Sequence, residues 1–235
     1  MSIEGNLVGW YGKLPTLGDF ITKRLPDEFV KPWDAWLQAG MLEAKATFPQ
    51  DWEEHFLTFP FWRFLIDRGT VTEQAWMGLL IPSADRVGRL FPFTIALPLD
   101  HASGANLDLA QLDSILDKFQ ALVNQLLEDD LLDAFEESLA QIGSANPSQQ
   151  ALDPSRQALE GARLADLDHS AGSIILGKSS QIDKLFSSLA VQELFSKGAR
   201  GLWWVQTTET DNGIVRTSPE GLNSTLFVDL VRGVT

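Results

Sequence analysis

Apolar positions follow three successive rhythms along this chain. Up to about residue 100 they come in short, dense runs; from Leu109 they recur every three or four residues; beyond residue 170 the short runs return. The dense runs predict strands and the spaced ones helices. Leu7 to Tyr11, ended by Gly12, reads as a first strand. After Pro26, Asp27 is placed to cap a helix whose Phe29, Trp33, Leu37 and Gly40 recur at helical spacing. Pro32 is compatible with that helix only near its first turn. Phe59 to Asp67, Gln74 to Pro82 and Phe91 to Leu99 then read as strands, the last returning antiparallel on the one before it.

The rhythm changes at Leu109. Leu112, Ile115, Leu116, Phe119, Leu122, Val123 and Leu126 form one stripe of an amphipathic helix, and Leu132, Phe135 and Leu139 suggest a shorter one. Gly143 to Pro154, rich in Ser, Gln, Asn and Pro, reads as a long loop. Ser173 to Leu176 reads as a strand, Ile182, Leu185, Phe186 and Leu189 as a helix face, and Gly201 to Thr207 as another strand. This is the signature of a crossover unit. Asp211, Asn212 and Gly213 supply hairpin chemistry, and Leu226, Phe227, Leu230 and Val231 mark a closing helix. Trp203 and Trp204 are neighbours on a strand and face opposite sides, so both are buried only if the sheet is covered twice. The expected fold is a single α/β domain over residues 1–235, a central mixed sheet with helices on both faces in a three-layer sandwich. Its parts are a motif-bearing region 1–100, an acidic helical segment 105–168 and a strand-helix-strand segment 170–235.

Composition narrows the chemistry. A chain of 235 residues with no cysteine has no disulfide framework, thiolate metal site or cysteine nucleophile, and suits a reducing compartment such as the cytoplasm. No basic and apolar leader opens it. The most apolar runs are interrupted by Pro82, Pro92 and Pro98, so they are expected in a core and not in a membrane. A net charge of −14 argues against nucleic acid as a partner, because gripping phosphate backbones takes clustered Lys and Arg. Residues 100–168 hold 14 acidic against 3 basic residues, a net of −11. That stretch is either a solvated face or a surface that steers toward a basic partner.

Two segments combine glycine, proline and charge in a way that strand or helix propensity does not explain. In the first, Gly9 to Phe20, Gly12 and Gly18 bracket a loop stiffened by Pro15 and carrying Lys13, Asp19 and Phe20. It is no phosphate loop, since Leu7 and Leu14 occupy the places of the required glycine and hydroxyl residue. The second, Pro82 to Pro92, is a polar hinge between apolar strands. Its Asp85, Arg86 and Arg89 either fix the hairpin as an ion-pair network or join Lys13, Asp19 and Arg63 in a recognition patch.

At these segments the chain resembles the TagF family. The Gly-x-x-Gly-Lys-Leu-Pro-x-x-Gly-Asp-Phe pattern falls on Gly9, Gly12, Lys13, Leu14, Pro15, Gly18, Asp19 and Phe20. The Pro-Ser-x-Asp-Arg-Val-Gly-Arg-x-Phe-Pro pattern falls on Pro82, Ser83, Asp85, Arg86, Val87, Gly88, Arg89, Phe91 and Pro92. Trp33-Asp34-x-Trp36-Leu37 and Pro60-x-Trp62-Arg63-Phe64 are similar too. Past Leu99 the likeness thins to Leu202-Trp203-Trp204 and the surroundings of Gly221-Leu222, where Asn223 replaces the usual proline. The resemblance implies a bacterial cytoplasmic protein that restrains type VI secretion after translation, by contact with the system's forkhead-associated scaffold protein, with other secretion components as further candidate partners. Some relatives carry a fused phosphatase domain, for which this chain is too short.

Catalysis has little support in the residues. His55, His101 and His169 form no i, i+4 pair or HExxH pattern, no Gly-x-Ser-x-Gly elbow is present, and no spacing singles out a carboxylate pair. The expectation is therefore a binding protein without cofactor or metal. The alternatives are a hydrolase or phosphatase-like enzyme using Ser83, Asp85, Arg86 and Arg89, or a structural subunit of the secretion assembly. Six of the eight tryptophans, Trp10, Trp33, Trp36, Trp52, Trp62 and Trp76, fall in the first third, where burial is expected for most of them.

Overall fold

A computed structural model describes residues 8–99, 109–129, 131–144, 174–178, 195–206 and 212–233. Its elements in chain order are β1 (Gly9–Gly12), β2 (Ile21–Lys23), α1 (Asp27–Thr47), α2 (Trp52–Thr58), β3 (Trp62–Ile66), β4 (Ala75–Ile81) and β5 (Phe93–Leu99). There follow α3 (Leu109–Asp129), α4 (Leu132–Ser144), β6 (Ile174–Lys178), β7 (Gly201–Gln206), β8 (Asn212–Thr217) and α5 (Ser224–Arg232).

The strands form one eight-stranded sheet in the order β2-β1-β5-β4-β3-β7-β8-β6. Every described pairing is antiparallel, so the sheet is not mixed as expected. The reason lies in the last third of the chain. β6 and β7 do run in the same direction, as a crossover requires, but β8 lies between them and pairs antiparallel with both. The expected helix around Ile182 to Leu189 lies outside the described residues, as does most of the expected loop after Ser144. Asn212 and Gly213 belong to β8 itself rather than to the turn before it.

Helices cover both faces, giving three layers. One core packs α1, α2 and α5 on the sheet through Phe29, Trp33, Leu37, Phe56, Trp62 and Phe227. The other packs α3 and α4 through Leu116, Phe119, Val123 and Phe135 onto Met77, Ile95 and Trp204. Trp203 joins the first core and Trp204 the second, and both are buried. Alternation along β7 requires this.

Local chemistry explains the helix limits. Asp27 is the first residue of α1 rather than its cap; the Pro26 carbonyl receives the N–H groups of Phe29 and Val30. Asp27 and Glu28 then sit where the helix dipole favours negative charge. Pro32 lies a full turn inside and deprives the Glu28 carbonyl of its usual donor. Gly40 is buried because α5 crosses there: a Cβ at this position would lie 2.4 Å from Phe227. At α5, Asn223 caps the helix, its side chain accepting from the Leu226 N–H at 2.8 Å.

Candidate functional site

The two loops singled out in the sequence close on each other as a clasp at one end of β1, β4 and β5. Leu14 to Leu17 makes a tight turn with Pro15 at its second position, the Leu17 N–H reaching the Leu14 carbonyl at 3.0 Å. Just before it, Gly12 has φ of +130°, and a Cβ there would lie 2.2 Å from the Pro92 carbonyl oxygen. Glycine at this position lets the two loops touch. The second loop prolongs the β4–β5 hairpin through a bridge between Ala84 and Leu90.

Asp85 is the centre of the clasp. Its Oδ1 accepts from the backbone N–H groups of Val87 (3.0 Å) and Arg89 (2.9 Å). Its Oδ2 lies 2.6 Å from Arg89 Nε and 3.1 Å from Lys13 Nζ. The Asp85 side chain has no exposed surface and that of Lys13 only 7%. Burial alone would raise the Asp85 pKa, but the hydrogen bonds from Arg89, Lys13 and Val87 outweigh it and hold the carboxyl well below the usual range. Three further bonds join the loops. The Ser83 hydroxyl donates to the Lys13 carbonyl at 2.7 Å, Arg89 Nη2 to the Gly18 carbonyl at 2.9 Å, and the Arg86 N–H to the Leu17 carbonyl at 3.1 Å.

Phe20 roofs the clasp. Its ring stacks on Tyr11, meets Phe91 edge-on with centroids 4.7 Å apart, and carries the Lys13 ammonium 4.8 Å above its centroid. Tyr11 in turn donates to Asp34 of α1 at 2.5 Å, and burial together with the Asp34 carboxylate pushes the phenol pKa well above its ordinary value.

The sequence-level patch thus assembles only in part. Lys13, Ser83, Asp85 and Arg89 meet, with Gly12, Pro15, Gly18 and Phe20 shaping the loop around them. Arg86 does not enter the ion-pair network: its side chain is exposed and makes no hydrogen bond or ion pair among the described residues. Asp19 is exposed and, among the described residues, accepts only from the Phe20 N–H. Arg63 serves another purpose. It is buried on β3 under α3, bonded to Asp113 at 2.5 Å, Asp117 at 2.6 Å and Gln120 at 3.1 Å.

The acidic segment therefore has an internal use that neither sequence reading of it foresaw. Asp113, Asp117 and Gln120 recur at helical spacing beside the apolar stripe of α3, which was the signal available. Glu136 of α4 does the same for the sheet edge, accepting from Trp10 at 2.5 Å and pairing with Arg24, itself at a left-handed φ of 58°. His55 packs against Phe48, while His101 and His169 lie outside the described residues. Among the described residues no group of three or more metal-ligating side chains converges. No helix there is long and apolar enough to cross a membrane.

One end of the sheet in this three-layer sandwich is thus closed by an ion-paired, glycine-dependent clasp. The family model for the TagF N-terminal domain, described as type VI secretion system-associated, matches residues 9–142. The chain belongs to this family and is a type VI secretion-associated protein. It is also similar to the crystal structure of PA0076 from Pseudomonas aeruginosa PAO1, with 31% identity, a TM-score of 0.67, and coverage of 97% of this chain and 95% of that one. No curated protein matches it.

Proposed function

We propose that this protein is a cytoplasmic, post-translational repressor of type VI secretion that acts by binding the system's forkhead-associated scaffold protein. The family membership supports the secretion role. The observation that carries the binding reading is the chemistry of the clasp: Lys13, Ser83 and Asp85 are buried and bonded to one another's loops, while Phe20 and Val87 face out. The Ser83 hydroxyl is buried and bonded to a backbone carbonyl, and all four donors around Asp85 are spent on keeping it ionised. A nucleophile or general acid needs the opposite, an accessible group whose pKa lies near the working pH. Phe20 and Val87, in contrast, are left in solvent.

The test is direct. The purified chain should capture the purified scaffold, and deleting its gene should raise secretion while overproduction lowers it. A chain that neither binds the scaffold nor changes secretion would refute the proposal.

A further inference from the structure

The clasp forms one wall of a groove of about 1040 Å³. Phe20, Leu90, Phe91 and Arg89 line that wall; the end of α1 and the start of α2 provide the other, with Met41, Leu42 and Trp52. Two features distinguish this groove. Part of its apolar lining is uncovered, with Phe20 44% and Leu42 74% exposed and Val87 70% exposed on the adjoining loop. Large apolar side chains left open together mark an interaction surface.

The second feature is charge. The clasp side carries Arg89, already engaged by Asp85 and the Gly18 carbonyl, with the exposed Arg86 on the same loop, whereas the helical side carries Asp51, Glu53 and Glu54 against Lys45 alone. On a chain of net charge −14, the exposed Arg86 beside an apolar rim is a local attraction for a carboxylate. Arginine also suits this role through its planar, two-pronged geometry.

The geometry points to a groove that seats a segment of a partner protein in which an apolar seam runs between an acidic flank, facing Arg86, and a basic flank, facing Asp51, Glu53 and Glu54. This rests on the docking reading above and adds its place and its chemistry. A second copy of this chain fits less well, because 18 basic residues against 32 acidic ones leave little to supply the basic flank.

Leu42→Glu and Arg86→Glu test the groove, with Leu127→Glu, an exposed leucine of α3 in the opposite layer, as control. All three positions are surface-exposed, and matching thermal melts would verify that each variant folds. In titrations with purified scaffold, the first two variants should each weaken binding about tenfold or more and the control by less than about twofold. Equal affinities for all three would overturn the groove while leaving the proposed partner intact. A photo-cross-linking residue at position 42, in secreting cells, separates the remaining cases. A cross-link mapped to a segment with the stated charge pattern in another protein would keep the groove and replace the scaffold. A cross-link to a second copy of the chain, or none, would overturn the groove.

Discussion

The Lys13 ammonium lies 3.1 Å from the Asp85 carboxylate, and both side chains are closed off from solvent. A buried pair of this kind tolerates the loss of neither partner, because the survivor is left charged and desolvated. Asp85→Asn should therefore lower stability clearly in chemical denaturation, while Arg86→Ala, which removes an exposed side chain, should stay within about 0.5 kcal/mol of the parent. The same pair sets an acid limit. Since the folded-state pKa of Asp85 lies below its unfolded value, its contribution is complete above about pH 4 and is lost as the pH falls through the depressed value. Asp85→Asn should remove that part of the acid limb.

Tyr11 sets a limit of opposite sign. Its folded-state pKa is raised, so the neutral phenol bonded to Asp34 contributes fully below about pH 10 and its contribution fades as the pH rises further. Stability measured from pH 9 to 12 should fall less steeply for Tyr11→Phe than for the parent chain. Identical slopes would show that the phenol has the same pKa in the folded and unfolded chain, with no upward shift.

Arg63 ties the acidic layer to the sheet. Replacing it with methionine keeps much of the volume but takes its charged partner from the half-buried Asp113, at a cost of about 2 kcal/mol. Asp117→Ala removes a mostly exposed partner and should cost no more than about 1 kcal/mol. Equilibrium unfolding of the two variants would show the difference, and equal losses would contradict it.

Gly40 reverses an ordinary expectation. In a free helix Gly→Ala is stabilising by up to about 1 kcal/mol. Here the added methyl would meet Phe227 at 2.4 Å, and the overpacking between α1 and α5 should instead destabilise by about 2 kcal/mol. A thermal melt of Gly40→Ala decides the sign.

The elements that could be read in the sequence were those whose periodicity coincides with burial. The stripe from Leu112 to Leu126 is buried throughout except for the half-covered Leu122, and the α5 residues Leu226, Phe227, Leu230 and Val231 all face the core. Two elements were missed. β2 is three residues long with two of them exposed, and α2 contributes only Trp52 and Phe56 to the core, so neither presents a repeat to detect. The meeting of Lys13 with Asp85 was legible because both lie in segments with unusual glycine and proline content. The partner of Arg63 was not. It depends on which strand lies under α3, and strand order is a long-range property of packing that no local spacing records. The antiparallel arrangement of the last strands was hidden for the same reason, since only the insertion of β8 between β6 and β7 decides it.

The separation of the indoles between the two cores has a spectroscopic consequence. Trp33, Trp36, Trp52, Trp62, Trp76 and Trp203 belong to the side of α1 and α5, whereas only Trp10 and Trp204 report on the side of α3 and α4. Intrinsic fluorescence of this protein is in effect a gauge of one layer. If the acidic helices were to lift away when a partner binds, six of the eight emitters would scarcely register it, and backbone amide exchange would be the method that sees the event.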